Sequence, residues 1–188
     1  MPSYPRVIFI DRDGTIIREP ADYCINSYEK LDFLPGVIRA LSDLSDLGWH
    51  FILVTNQDGL GTEAFPRAEF DGPHALMKRV LAGEGVTFLR ECIDEHYPHE
   101  NHPNRKPNTG MVDGLFLELG IDPQQSVMIG DRRTDAEFAH RLGIRSITIK
   151  DPGSADGDLK YADNQVYPTR LFTSWADVLE YFRAGLPA

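Results

Sequence analysis

Asp11-Arg12-Asp13-Gly14-Thr15 follows directly on the apolar run Val7-Ile8-Phe9-Ile10. Carboxylates at this spacing can face one point once the chain leaves a strand. One can then attack an electrophile while the other gives or takes a proton. Two like charges so close also call for a cation, and hard Mg²⁺ prefers oxygen ligands. The same residues suit a plain turn, where Asp and Gly are common. Three further features point toward a phosphate group. Thr55-Asn56 follows a second apolar run and offers a hydroxyl and an amide to a phosphate oxygen. Lys106, within Arg105-Lys106-Pro107, supplies a fixed positive charge. Gly130-Asp131-Arg132-Arg133-Thr134-Asp135 follows a third run and adds a pair of carboxylates. Each alone has a dull explanation, such as a solvated lysine or an Asp capping a helix. Their order, each after its own element, is hard to obtain by chance.

Regular elements must position these residues. Val7–Ile10, Phe51–Val54, Glu91–Ile93, Ser126–Ile129 and Ser146–Ile149 read as short strands, the most apolar of them buried on both faces. Pro35-Gly36 opens a helix with Val37, Leu41, Leu44 and Leu47 on one stripe, stopped at Gly48. Helical spacing recurs from Phe70 to Leu81, with Met77, Val80 and Leu81 on one side. It returns at Val112, Leu115, Phe116 and Leu119 before Gly120, at Thr134–Leu142 before Gly143, and at Trp175, Val178, Leu179 and Phe182. Asp151–Asp163, polar and Gly-containing, reads as a surface loop. Alternating strands and helices predict an α/β fold with a parallel sheet. Asp11, Thr55 and Asp131 then lie at the carboxyl ends of strands, where open parallel sheets bind ligands.

The chain of 188 residues suits one domain, taken as 1–188. Its 19 basic and 29 acidic side chains leave a net charge of −10, which argues against coating nucleic acid or an anionic membrane. With two cysteines, Cys24 and Cys92, no disulfide framework is expected. Met1–Arg6 lacks a leader pattern, so a cytoplasmic location is expected.

These motifs resemble the haloacid dehalogenase superfamily of phosphohydrolases over about residues 6–150: Asp11-x-Asp13-Gly14-Thr15, Thr55-Asn56, Lys106-Pro107 and Gly130-Asp131-x-x-Thr134-Asp135. The resemblance implies a Rossmann-like three-layer sandwich with a mainly parallel central sheet, of the capless type. It implies an aspartyl-phosphate route in which Asp11 is the nucleophile and Asp13 the general acid, then base. Thr55 and Lys106 would hold the phosphoryl group. Asp11, the Asp13 carbonyl and Asp131 would hold Mg²⁺, and Asp135 would brace them.

Phe9–Thr15, Thr55-Asn56-Gln57-Asp58-Gly59-Leu60-Gly61-Thr62, Phe65-Pro66 and Phe70-Asp71-Gly72-Pro73-His74 resemble, more narrowly, the histidinol-phosphate phosphatases of that superfamily. L-histidinol phosphate is then the expected substrate. Glu19, Asn56, Gln57 and Arg105 are the candidate substrate-binding residues, with Glu19 placed to meet a cationic amine. Alternatives are a heptose bisphosphate or other small phosphate ester, or an inactive partner-binding module. In some bacteria this activity is fused to a dehydratase, which leaves a separate dehydratase open as a partner. One departure is clear. Where these relatives carry zinc-binding cysteines, this chain has Asp94, His102 and Asn104, with His96 at the histidine position and Cys92 out of step. Structural zinc is therefore not expected.

Overall fold

The structure is a computed structural model that describes residues 3–151 and 167–186. The polar stretch expected to form a loop at Asp151–Asp163 lies, after Asp151, outside the described residues.

Chain order gives β1 (Val7–Ile10), α1 (Val37–Asp46), β2 (His50–Asn56), α2 (Arg67–Gly83), β3 (Phe88–Asp94), α3 (Leu115–Leu119), β4 (Val127–Gly130), α4 (Arg133–Leu142), β5 (Arg145–Ile149), β6 (Arg170–Phe172) and α5 (Trp175–Arg183). The strands form one sheet in the order β3-β2-β1-β4-β5-β6, every neighbouring pair parallel. Side chains alternate across the sheet, so β1 serves two cores. Ile8 and Ile10 pack with Val37, Leu41, Met77, Val178 and Phe182 from α1, α2 and α5. Val7 and Phe9 pack on the other face with Leu115, Leu119 and Phe138 from α3 and α4. This is the expected three-layer α/β sandwich. Burial on both faces explains why β1 and β4 read as unbroken apolar runs.

Two expectations need correction. Leu47 does not join the buried stripe of α1. The helix ends at Asp46, Leu47 caps it, and its side chain is exposed before Gly48 turns the chain with φ +82°. The helix expected from Val112 to Leu119 is split. A 3-10 turn at Gly110–Val112 ends at an extended Asp113, and α3 starts only after Gly114 at φ +81°. Between Thr55 and Lys106 the chain builds α2, β3 and the loop after it, leaving no segment for a separate cap domain.

Candidate active site

The site sits at the carboxyl ends of β1, β2 and β4, the three central strands. Asp11 extends the β1–β4 pairing by donating its N–H to the Ile129 carbonyl (2.9 Å). The chain then turns sharply. The Arg12 carbonyl accepts the N–H groups of Ile16 and Ile17, and Gly14 adopts φ +75°. A Cβ on Gly14 would stand 2.1 Å from Asp131 Oδ2, so only glycine lets this turn close onto the β4 end.

Lys106 lies at the centre, 3% exposed, although it comes from the loop after β3. Its Nζ donates to Asp11 Oδ1 (2.8 Å), Asp135 Oδ1 (2.7 Å) and the Val54 carbonyl (2.8 Å). Burial alone would lower the Lys106 pKa, but the two carboxylates raise it above its usual range. Burial raises Asp135, against the pull of Lys106. Asn56 clamps the Lys106 backbone from both sides: its Nδ2 donates to the Lys106 carbonyl and its Oδ1 accepts the Lys106 N–H, each at 3.0 Å. The amide expected to meet substrate is thus spent on holding the lysine.

Asp13 is largely buried, and burial raises its carboxyl above the usual range. Arg12 and the Gln57 hydrogen bond oppose the shift, while Asp11 and Glu19 add to it. A carboxyl held up in this way suits a proton donor. Gln57, also expected to touch substrate, turns inward instead and is 4% exposed.

A cavity of about 290 Å³ opens above these groups. Asp11, Asp13, Thr55, Asn56, Lys106 and Asp135 form its floor, and Glu19, Tyr23, Asp58, Arg105, Arg132 and Thr134 its walls. Glu19 accepts from Arg132 Nη2 (2.6 Å), and Arg132 also lies over the Tyr23 ring. Arg105 grips Asp58 through both Nη1 (2.5 Å) and Nη2 (3.2 Å) and donates to the His96 carbonyl (2.6 Å). Arg132 and Asp58 lie within the quoted motifs, but nothing in their local spacing marks them as wall residues, and Tyr23 lies outside every motif.

The donor set suits a hard divalent cation. Carboxylate oxygens of Asp11, Asp131 and Asp135 lie within 4.8 Å of one another. Asp135 is already committed, with one oxygen on Lys106 and the other on the Arg132 N–H (3.0 Å). Asp11 and Asp131 are therefore the carboxylates left to hold Mg²⁺.

A second cluster stands beside the mouth. Asp94, its side chain fully buried, accepts from His96 Nδ1 (2.9 Å) and from the His96 N–H (3.2 Å). His102 Nδ1 lies 3.4 Å from the same carboxylate, and the two imidazoles stack with centroids 3.5 Å apart. Cys92 points into the sheet core, where burial pushes its thiol up to about 11. One carboxylate and two imidazoles do not make the closed, thiolate-containing set of a structural zinc site.

This arrangement, carboxylates directly after β1 beside a buried lysine and a further carboxylate after β4, has known counterparts. A family model described as "HAD-hyrolase-like" matches residues 103–177. The bifunctional histidine biosynthesis protein HisB of Xylella fastidiosa (strain 9a5c) is 48% identical over 146 residues, 78% of this chain and 39% of its own length. HisB of Stenotrophomonas maltophilia (strain R551-3) is 48% identical over 144 residues, 77% of this chain and 40% of its own. The chain thus spans about two fifths of the length of these curated relatives. Among solved structures, the D,D-heptose 1,7-bisphosphate phosphatase of B. bronchiseptica, complexed with magnesium and phosphate, superposes with TM-score 0.82 at 26% identity, over 95% of this chain and 98% of that one. The chain belongs to the haloacid dehalogenase superfamily. Within it, the solved neighbour just described is a phosphatase.

Proposed function

We propose that this chain is a phosphatase that hydrolyses L-histidinol phosphate through an aspartyl-phosphate on Asp11. In the first step an Asp11 carboxylate oxygen attacks phosphorus, the ester P–O bond breaks, and Asp13 gives its proton to the departing alkoxide. In the second step Asp13 takes a proton from water, the water oxygen bonds phosphorus, and the bond to Asp11 breaks. Thr55 and Lys106 hold the phosphoryl oxygens, and Lys106 offsets charge that builds on them. Asp11, Asp131 and the Asp13 carbonyl would hold Mg²⁺, which would neutralise charge between the two anions.

The observation that carries the substrate reading is the pair of carboxylates in the wall. Glu19 and Asp58 both line the cavity, each paired with an arginine, and a ligand bearing an amine and an imidazole besides its phosphate would compete for them. The likeness to the HisB proteins supports it. A second reading rests on the other wall residues. Arg105 and Arg132 could take a second phosphate, as a sugar bisphosphate would present. The heptose bisphosphate phosphatase neighbour supports that alternative. We also propose that the loop after β3 closes on Asp94 without structural zinc, because His96 Nδ1 is already hydrogen-bonded to Asp94 and His102 Nδ1 accepts from the Asn104 N–H.

The decisive assay compares kcat/KM for L-histidinol phosphate, a heptose bisphosphate and a generic aryl phosphate, each with Mg²⁺. A preference for the first supports the proposal, and a preference for the second moves it to the sugar reading. No hydrolysis of any ester would mean an inactive module.

A further inference from the structure

We infer that Arg12 and Gln57 form a buried bracket that fixes the direction of the Asp13 carboxyl toward the ester oxygen. This rests on the acid role proposed for Asp13. The Gln57 side-chain amide spends its hydrogen bonds on three site residues. Its Nε2 donates to Asp13 Oδ2 (2.6 Å) and to Thr55 Oγ1 (2.9 Å). Its Oε1 accepts from Arg12 Nη1 (3.2 Å). The Gln57 backbone N–H is itself fixed on the Asp94 carbonyl at the end of β3 (2.7 Å). The amide is thus anchored to the sheet and ties the β1 turn to the end of β2.

Arg12 is more unusual. It is 0% exposed, in the position between the two aspartates of the site. Its Nη1 stands 3.2 Å from Asp13 Oδ1 and 3.4 Å from Oδ2. Its Cζ lies 4.7 Å from the centroid of the Phe70 ring. Nε and Nη2 are buried with no hydrogen-bond partner among the described residues. Removing a guanidinium from water costs several kcal/mol, and pairing here is incomplete. The Phe70 face and the Asp13 carboxylate offset part of that cost. An apolar residue of similar length would pack there without it, so packing alone does not account for the arginine.

The geometric effect falls on Asp13. With Arg12 Nη1 close to both carboxyl oxygens and Oδ2 held by Gln57, rotation about the Asp13 side chain is restricted, and its Oδ1 is left buried without a hydrogen-bond partner among the described residues. Neither Arg12 nor Gln57 is among the cavity-lining residues. Both are positioning residues; the leaving-group-dependent part of their effect belongs to steps in which Asp13 moves a proton, and any part that comes through the Gln57–Thr55 hydrogen bond would fall on both esters alike.

The test uses single-turnover release of the leaving group from phenyl phosphate, a poor leaving group, and 4-nitrophenyl phosphate, a good one. Gln57→Met, Asp13→Asn, the double variant and Arg12→Lys are compared with the parent. Gln57→Met is expected to lose about 10–100-fold on phenyl phosphate but less than about threefold on the nitrophenyl ester, with KM little changed. In the Asp13→Asn background it should add less than about twofold, because both changes remove one function. Arg12→Lys, which keeps the charge but not the fork, should show the same leaving-group bias. Equal losses on both esters, or additive losses in the double variant, would overturn the bracket. If Gln57→Met does not fold, the same bias or its absence in Arg12→Lys decides the matter. If Asp13→Asn itself shows no leaving-group bias, the acid role fails. If Asp13→Asn shows the bias and Gln57→Met does not, the bracket alone fails.

Discussion

Lys106 and Asp11 are 95 positions apart in the chain and 2.8 Å apart in space. That ion pair joins the end of β1 to the loop after β3, and Asp135 closes it from α4. The predictions start from this triad.

Asp11→Asn removes the attacking charge and a cation ligand while leaving a neutral oxygen for Lys106. Turnover is expected to fall by several orders of magnitude with the thermal midpoint nearly kept. Acid-quenched samples should contain no phosphoenzyme. Retention of more than about a tenth of parent activity, a loss of only about 1.4 kcal/mol of barrier, would assign the nucleophile elsewhere.

Lys106→Met leaves Asp11 and Asp135 buried and uncompensated. Breaking a buried pair by removing one partner typically costs about 3–5 kcal/mol. Urea denaturation should show a loss of that order. Lys106→Met combined with Asp135→Asn should be less destabilised than Lys106→Met alone, since one stranded charge is gone. Additive losses would show that the triad is not coupled.

The strands of this site were legible because β1 and β4 are covered on both faces and so read as continuous apolar runs. The edge strand β6 was not, being three residues long with Arg170 and Leu171 exposed. The charges of Asp11, Asp13 and Asp131 were legible because each closely follows a strand, whereas Lys106, deep in the loop after β3, was legible only through the motif it belongs to. The amides were not. Asn56 and Gln57 look like substrate ligands in the sequence. What they meet is decided by partners far along the chain, Lys106 at a separation of 50 and Asp13 at 44. No local pattern tells an amide that faces a cavity from one that bolts two loops together.

Glu19→Gln should separate the substrate proposals. Losing one hydrogen bond to a charged partner is worth about 1.5–3 kcal/mol, so KM for L-histidinol phosphate should rise about tenfold or more. KM for an aryl phosphate, which carries no amine, should stay within about twofold, because Gln still offers Arg132 an oxygen to meet. Parallel changes for both esters would place Glu19 in support of Arg132 rather than in contact with substrate.

The loop after β3 should be indifferent to zinc chelation. Elemental analysis is expected to give far less than one zinc per chain, and chelation followed by Mg²⁺ return should restore activity with an unchanged melting temperature. Asp94→Ala, by contrast, strands the His96 N–H and ring, and should cost about 1–3 kcal/mol. One tightly held zinc per chain, released only on unfolding, would defeat this reading.

His74 gives stability a pH dependence. Burial lowers its pKa despite the hydrogen bond from Nε2 to Glu91 (2.8 Å). Below the ordinary histidine range the unfolded chain takes up a proton that the folded chain resists. Stability conferred by neutral His74 is thus full above about pH 6.5 and falls as the pH drops toward its lowered folded value. His50, also lowered by burial and by Arg6, acts in the same direction. Thermal midpoints measured from pH 7.5 to 5.5 should decline, and His74→Gln should flatten part of the slope. An unchanged slope in that variant would assign the effect to other groups.

The strand order has a kinetic consequence for amide protons. β1 lies between β2 and β4, hydrogen-bonded on both edges and buried on both faces. Its amides can reach solvent only when the whole sheet opens, whereas segments with fewer buried contacts open on their own. Asp11, whose N–H continues the β1–β4 ladder, belongs to the slow class. Glu19, Tyr23 and Asp58 stand on loops outside the sheet and belong to the fast one. Deuterium uptake would therefore divide this cavity in two. The strand-borne part of the floor, Asp11, Thr55 and Asn56, should exchange on the timescale of global unfolding, and the loop-borne wall residues should exchange through local openings. Sequence change in the walls could then alter what is admitted without loosening the floor.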